Sequence, residues 1–273
     1  MSESLQLNNQ SKNNTAPQAI PRTVWKYLSP ETAELVLANG TIRFSPLTAL
    51  NDRRDCLFDL TDEVAFIRNT YFPIIRDRSH SGSRRSNDTP ERTIEKNIRE
   101  QLQHSGFRIL SLSLVDPTTS AAEGMWGHYS QSSLGICLEF DYSMLISGIS
   151  RAIELAGYAN PLETGPIIYK KTPPKYPNAN LPEQEREKRT LQAIFRKDSG
   201  WSIEREYRIA TLIEPKAPER SFLLSPLFTW VFPRPVLTRI HIGSSATTAT
   251  ISMVNKYSGG IRTVKHDILG CLE

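Results

Sequence analysis

Residues 201–209 read WSIEREYRI, an alternation of apolar and polar side chains that is broken only at Arg205. Alternation with a period of two is typical of a half-buried β-strand, whose side chains point to opposite faces in turn. The pattern therefore predicts a strand that carries Glu204, Glu206 and Arg208 in a row on one face. Alternate side chains on a strand lie about 7 Å apart, given a rise of about 3.3 Å per residue.

Two interpretations of that charged face are open. Exposed strand faces are commonly charged, so the three side chains can form a solvated surface with an ion pair worth at most about 1 kcal/mol. Alternatively, they line an acidic cleft in which one glutamate does chemistry and Arg208 sets the charge state of that glutamate.

Length and composition indicate an ordinary globular protein of 273 residues, near the upper limit for one hydrophobic core. The net charge of +4 is small and scattered, so it does not indicate nucleic-acid binding. Cys56, Cys137 and Cys271 are far apart and lack metal-ligand spacing. We therefore expect a cytoplasmic protein without a bound metal. No apolar run approaches the roughly 20 residues that a membrane span needs, so we expect no membrane partner.

The chain divides into a polar start and one longer ordered unit. Residues 1–20 are rich in Ser, Asn and Gln, which predicts a disordered tail. Residues 21–273 are predicted to form a single α+β domain. Within it, residues 76–92 are dense in Ser, Arg, Asn and Asp, which predicts a mobile loop.

Strand and helix signals are interleaved along this domain. Further strands are predicted at residues 23–28, 41–45, 107–115, 136–141, 167–169, 237–242 and 261–264. Helices are predicted at residues 30–39, 90–104, 142–157 and 183–197, with a short helix or turn at 125–129 and a last helix after Gly243. Because regular βαβ spacing is missing, the pattern favours an α+β fold with a mixed or antiparallel central sheet and flanking helices.

Several short motifs resemble a bacterial family known as domain of unknown function 2971. They are Trp25–Leu28, Ile42–Pro46, Leu50–Asp52, Ser111–Ser113, Met125–Tyr129, Gly135–Phe140, Trp201–Arg208 and Arg239–Gly243. These motifs are spread over nearly the whole predicted domain. The family name implies no function.

The layout is also similar to that of ADP-ribosyltransferases. Those proteins begin with a strand and a short helix, continue to a strand ending in a small hydroxyl residue, and place a catalytic glutamate on a late strand. The resemblance implies that NAD is the substrate and that ADP-ribose passes to a macromolecule or NAD is simply cleaved. Glu206 would then stabilise the ribose cation, and Glu204 would align or deprotonate the acceptor.

The same resemblance suggests how the substrate is held. Lys26, Tyr27, Arg43 and Ser45 on the early strands would contact the nicotinamide or the phosphates. His128 and Tyr129 would stack on a ring or bond a ribose, although packed structural roles for both are equally open. Arg208 would keep a carboxylate ionised or bind diphosphate through its planar fork.

Other functions stay open on the sequence alone. The acceptor is unidentified, and nucleic acid is not excluded in that role. A hydrolase could use Glu204 and Glu206 on another glycosidic bond or on a phosphate bond. A module that senses a nucleotide without turning it over is a further alternative.

Overall fold

The computed structural model describes residues 20–50, 52, 55–62, 65, 92, 96–97, 106–157, 162–177, 180–212 and 229–266. Nearly all of the predicted tail at 1–20, the predicted loop at 76–92 and the predicted helix at 90–104 lie outside these residues. The single domain over residues 21–273 stays a prediction.

The described residues form both strands and helices. The strands are β1 (Thr23–Leu28), β2 (Thr41–Arg43), β3 (Ser45–Pro46), β4 (Phe107–Ser113), β5 (Ile136–Asp141), β6 (Glu163–Pro166), β7 (Ile168–Tyr169), β8 (Arg196–Lys197), β9 (Glu206–Leu212), β10 (Thr229–Val231), β11 (Leu237–Ile242) and β12 (Arg262–Lys265). The α-helices are α1 (Pro30–Asn39), α2 (Glu123–Tyr129), α3 (Tyr142–Leu155), α4 (Glu183–Ile194) and α5 (Thr248–Tyr257).

The largest sheet has the strand order β12-β11-β5-β1-β4-β9-β6, and β3 pairs with β4 beside this path. The pair β11–β12 is parallel, while the neighbouring strands elsewhere in this sheet pair antiparallel. Two small sheets pair β2 with β10 and β7 with β8. This mixed sheet with helices around it confirms the predicted α+β class.

Local capping signals fix α1 where the sequence predicts it. The Ser29 side chain accepts a hydrogen bond from the backbone N–H of Thr32, and Pro30 occupies the first turn, where its missing N–H is harmless. Gly40 ends the helix in the left-handed conformation (φ +60°), which glycine adopts without steric penalty. The helix follows β1 directly and so stands at one end of the sheet.

The two faces of the large sheet bury different kinds of side chain. On one face, alternate apolar residues such as Leu112, Leu138 and Ile209 pack into the main core with α3 and α5. The opposite face has a smaller apolar cluster around Tyr27 and Trp126. Glu206 and Arg208 point to this second face, because residues two apart on β9 share a side.

The sheet opens between its two central strands. β1 pairs with β5 along all six of its residues, but it pairs with β4 only through Trp25 and Ser113. Beyond that pair the strands diverge. The Lys26 ammonium crosses the gap and donates to the backbone carbonyl of Ser111 at 2.7 Å. The divergence creates a cleft in the middle of the sheet.

The prediction of one strand over residues 201–209 is wrong in its first half. Residues Ser199–Glu204 form a 3-10 helix, and β9 begins only at Glu206. Asp198 starts this turn by accepting a hydrogen bond from the backbone N–H of Gly200 at 2.9 Å. Arg205 leaves the turn with a φ of +42° and redirects the chain into the strand.

Other element boundaries also differ from the prediction. The helix predicted over residues 183–197 ends at Ile194, and residues 196–197 form β8 instead. The strand predicted over residues 41–45 is divided between β2 and β3, which belong to different sheets. The final strand among the described residues is Arg262–Lys265, one position later than the predicted 261–264. Among the described residues, no helix is long and apolar enough to cross a membrane.

Candidate functional site

Residues of β1 and β4 border a cleft of about 350 Å³, within the size range of small-molecule sites. Eight of the nine predicted site residues line it. They are Lys26, Tyr27, Arg43, Ser45, His128, Tyr129, Glu204 and Glu206. The structure therefore brings together residues that lie up to 180 positions apart in the sequence.

Glu206 is held on the floor of the cleft by Arg208. The Arg208 Nε–H donates to Glu206 Oε1 at 2.6 Å, and Nη2 donates to Oε2 at 3.2 Å. Arg208 itself is fully buried and is not among the residues that line the cleft. It therefore lies behind Glu206, where it can hold the carboxylate ionised but has no contact with the cleft. The alternative of a solvated outer face is excluded, because Glu206 is also buried.

Glu204 reaches the same floor from the 3-10 helix rather than from the strand. Its backbone carbonyl accepts a hydrogen bond from the Ser113 hydroxyl at 2.7 Å, which ties the turn to β4. Its Oε1 accepts a hydrogen bond from the Tyr129 hydroxyl, and its Oε2 accepts one from Lys197 Nζ at 2.7 Å. The Glu204 side chain is buried. The position of this carboxylate is therefore fixed from α2, β4 and β8 together.

Lys197 and Asp55 complete the charged cluster, and sequence reasoning assigned neither of them to the site. Lys197 Nζ lies 3.3 Å from Glu206 Oε2 and 4.0 Å from Asp55 Oδ2. Asp55 Oδ2 accepts a hydrogen bond from Arg208 Nη2 at 2.5 Å. Neither residue belongs to a recognisable motif, and Lys197 falls at the end of the predicted amphipathic helix. Only the fold brings them to β9.

The two glutamates differ in their pKa values because their partners differ. Burial by itself raises the pKa of Glu206, but the charge and hydrogen bonds of Arg208, together with Lys197 and Ser111, outweigh burial and lower that pKa to about 2. Burial raises the pKa of Glu204 above its ordinary value, against the opposing bonds from Lys197 and Tyr129. Carboxyl groups whose pKa values are pushed apart in one site are suited to different chemical roles.

Beside burial, the balance of charges in the cluster also favours a higher pKa for Glu204 than for Glu206. The cluster holds the carboxyl groups of Asp55, Glu204 and Glu206 against the two cations of Lys197 and Arg208. With every group ionised, one negative charge is in excess. Arg208 is committed to Asp55 and Glu206, so Glu204 depends on Lys197. The floor of the cleft is therefore suited to a ligand that develops positive charge.

The rest of the cleft wall carries basic and hydroxyl side chains beside apolar ones such as Leu50 and Met125. Burial lowers the pKa of Lys26, while the charges of Glu206 and Glu204 oppose that shift. Arg43 is exposed on β2, and Ser45 follows it on β3. Tyr27 uses its hydroxyl for the Val115 carbonyl at 2.9 Å and packs edge-on against Trp126. Tyr27 thus faces the cleft as an already anchored ring, which fits a positioning role better than an acid–base role.

The two aromatic candidates on α2 are placed differently. Tyr129 is half-buried and bonds Glu204, and burial raises the pKa of its hydroxyl, so it stays a hydrogen-bond donor. His128 is exposed at the rim, with its ring centroid 6.1 Å from that of Trp201. Among the described residues, no group of three His, Cys, Asp or Glu side chains is placed to hold a metal ion.

Comparison with known proteins supports the predicted family resemblance over part of the chain. Residues 125–209 match the sequence model of a family described as "Protein of unknown function (DUF2971)". The match confirms the predicted resemblance to this family over that segment, which contains Tyr129, Lys197, Glu204 and Glu206. A search of curated proteins found no match.

Among solved structures, the chain is similar to the one titled "Thermus sp. 2.9 DarT in complex with ADP-ribosylated ssDNA". The identity is 9%, and the alignment covers 90% of this chain and 94% of that chain. The TM-score is 0.33, a value that does not establish a common fold.

Proposed function

We propose that the cleft binds NAD and that the chain is an ADP-ribosyltransferase-like enzyme. It would break the bond between nicotinamide and ribose and pass ADP-ribose to a macromolecular acceptor or to water. One observation carries this proposal. Two buried glutamates with oppositely shifted pKa values face a cleft whose remaining wall carries basic and hydroxyl side chains.

Breaking the nicotinamide–ribose bond leaves positive charge on the ribose, as in glycoside chemistry. The electron pair of the bond departs with nicotinamide, which leaves as a neutral molecule. Glu206 is suited to stabilise the ribose cation, because Arg208 keeps its carboxylate ionised and immobile before the reaction begins. The excess negative charge of the cluster favours the same cation.

The acceptor must lose a proton when it attacks the ribose. Glu204 is suited to receive that proton, because its raised pKa makes it a stronger base than Glu206. Tyr129 and Lys197 each bond one oxygen of Glu204 and so fix its orientation. The two glutamates would thus divide the work between cation stabilisation and proton removal.

The basic side chains in the wall of the cleft would hold the remainder of the nucleotide. Lys26 and Arg43 offer cationic groups for the diphosphate. Ser45 and the ring of Tyr27 would contact the nicotinamide or its ribose, and His128 would lie at the rim. Arg208 would have no direct part in binding the diphosphate, because it is enclosed behind Glu206.

The first test is whether NAD is consumed at all. Purified protein is incubated with NAD, alone and with cell extract, and nicotinamide release is measured together with mass shifts on protein, DNA and RNA. We expect free nicotinamide, with ADP-ribose either released or attached to one of these acceptors. NAD that stays intact under both conditions, with no mass shift on any acceptor, would refute the proposal.

A nucleotide-binding module without turnover is the alternative, and one observation favours it. Both oxygens of Glu206 are already occupied, Oε1 by Arg208 and Oε2 by Arg208 and Lys197. A carboxylate that is fully engaged by the protein has less capacity to respond to a substrate. Saturable NAD binding in calorimetry, with unchanged NAD recovered at the end, would support this alternative.

A further inference from the structure

Lys197 holds a central place in the site, although the proposed reaction gives it no chemical step. It lies on β8, directly after α4, and its side chain is only 6% exposed. The ammonium contacts Glu204 at 2.7 Å and Glu206 at 3.3 Å. It also lies 5.0 Å from the centroid of the Trp201 ring, a distance at which the ring face attracts a cation.

We propose that Lys197 is a positioning residue whose ammonium is the shared counterion that holds Glu204 and Glu206 side by side in their charged forms. This inference rests on the proposed function, since it gives those glutamates a reaction to serve. It extends that function by identifying the cation that offsets the repulsion between the two buried carboxylates.

The need for a shared cation follows from the geometry. Two carboxylates in contact with one ammonium are close enough that each disfavours ionisation of the other. Arg208 neutralises Glu206 and Asp55 but makes no hydrogen bond with Glu204. Lys197 is the cation that bonds Glu204 directly. Without it, Glu204 would take up a proton and could no longer receive one from an acceptor.

Other charged or titratable groups surround the Glu204–Lys197 pair, and they come from several elements. They are Lys26 of β1, Asp55, Tyr129 of α2, Tyr169 of β7, and Glu206 and Arg208 of β9. Of these, Tyr129 donates a hydrogen bond and Lys26 adds a more distant positive charge, while the two carboxylates oppose ionisation. None of them replaces a cation in direct contact.

Lys197 is itself held in its charged form. Burial lowers its pKa, but Glu206, Glu204 and Asp55 more than compensate, so its pKa lies above the ordinary value. A lysine that keeps its proton is a fixed positive charge rather than a base or a nucleophile. The same segment also orders the turn that carries Glu204, because Asp198 caps it.

The test compares Lys197→Met, which removes the charge, with Lys197→Arg, which keeps it. Lys170→Met is the matched control, because Lys170 is exposed and belongs to the segment that pairs with residues 196–197. Two quantities are measured for each protein. The first is the pH profile of nicotinamide release, and the second is the titration of Glu204 by NMR of ¹³C-labelled glutamate carboxyls, assigned with Glu204→Gln.

We expect Lys197→Met to move the acid limb of the profile and the Glu204 titration upward together, by about 1 to 3 pH units. Lys197→Arg and Lys170→Met should leave both near their wild-type positions. A uniform loss of rate in Lys197→Met, with no movement of the limb or of the titration, would overturn the proposal. An equal movement in Lys197→Arg would overturn it as well, because charge would then not be the cause.

Lys197→Met leaves three carboxylates against one guanidinium and so risks unfolding. The same comparison is therefore also made in the Glu206→Gln background, where one of those carboxylates is already neutral. There too, loss of the lysine should raise the pKa of Glu204, and an unchanged titration would refute the inference. This titration does not depend on catalysis, so a protein that never cleaves NAD would disprove the proposed function while leaving the electrostatic role of Lys197 measurable.

Discussion

Replacement of Arg208 by methionine removes the guanidinium beneath the carboxylate pair and keeps an unbranched side chain. Four groups lose a donor in this variant. They are Glu206, bonded at 2.6 Å, Asp55, bonded at 2.5 Å, the Cys56 sulfur, bonded at 3.5 Å, and the backbone carbonyl of Ile194. Arg208 is fully enclosed, so water cannot take over these bonds without a rearrangement of the core.

Removal of one partner of a buried ion pair destabilises a protein by about 3 to 5 kcal/mol, because the other charge is left uncompensated. Arg208 has two such partners, so we expect Arg208→Met to lie at the upper end of that range. The stability of a typical domain is about 5 to 15 kcal/mol. The variant would thus lose a large share of its free energy of unfolding at neutral pH.

The sign of the pH dependence separates this electrostatic cause from loss of packing. In the wild type, Arg208 is the main group that lowers the pKa of Glu206, which is about 2. The stabilisation from Glu206 is therefore present above its ordinary pKa and is lost as the pH falls toward 2. In Arg208→Met, Lys197 and Ser111 still oppose burial but the guanidinium no longer does, so the pKa of Glu206 rises. As the pH falls, protonation of Glu206 removes its uncompensated buried charge in the variant. The difference in free energy of unfolding between the wild type and the variant then becomes smaller.

Urea unfolding at pH 7 and pH 4.5 measures both the loss of stability in the variant and the dependence of that loss on pH. Arg186→Met is the control, since Arg186 is exposed on α4 and surface changes of this kind stay within about 0.5 kcal/mol. We expect the free energy of unfolding of Arg208→Met to be several kcal/mol below that of the wild type at pH 7. The difference should be clearly smaller at pH 4.5. A deficit below about 1 kcal/mol, or one that does not depend on pH, would refute the reasoning.

Three other substitutions test how the site is supported. Ser113→Ala removes the bond to the Glu204 carbonyl, so we expect a loss of about 1 to 3 kcal/mol in urea unfolding; no loss would mean that the bond does not anchor the turn. Gly135→Ala places a methyl group 2.0 Å from the Leu28 carbonyl oxygen, so we expect no folded protein or a thermal unfolding midpoint many degrees lower. A normal midpoint would contradict the packing described. Tyr129→Phe removes a donor that favours ionised Glu204, so we expect the ¹³C titration of Glu204 to move to higher pH. Movement to lower pH would show that the hydrogen bond favours the protonated form.

Much of the fold could be predicted from local signals. Ser29 and Gly40 mark both ends of α1, because capping depends on residues only a few positions apart. The strands at residues 23–28, 136–141 and 237–242 have the predicted bounds. In these segments propensity, periodicity and tertiary packing all favour the same conformation.

The turn before β9 could not be predicted from periodicity. Residues 201–204 alternate as a strand does, but Asp198 begins a 3-10 helix and Arg205 takes a left-handed conformation that few residues other than glycine adopt. The sequence Asp198-Ser199-Gly200 is itself a turn signal, and it outweighs an alternation of only four residues. Even so, Glu204 and Glu206 meet, since the turn directs Glu204 back over the strand.

The cations and the third carboxylate of the site illustrate a different limit. Arg208 could be predicted to act on Glu206, because residues two apart on a strand share a face. Lys197 and Asp55 reach the same cluster from separate segments, 9 and 151 positions from Glu206. Contacts of this kind depend on the final packing of the sheet, and no local pattern encodes them.

Single-turnover release of nicotinamide from NAD, compared between Glu206→Gln and Glu154→Gln, tests the central claim most directly. Glu154 is an exposed residue on α3 and provides the same substitution away from the cleft. Loss of a preorganised charge at a developing cation slows a reaction by about 100- to 1,000-fold. We therefore predict a loss of that size for Glu206→Gln and wild-type release for Glu154→Gln. Equal rates in the two variants would contradict the claim that the buried carboxylate at position 206 performs the chemistry.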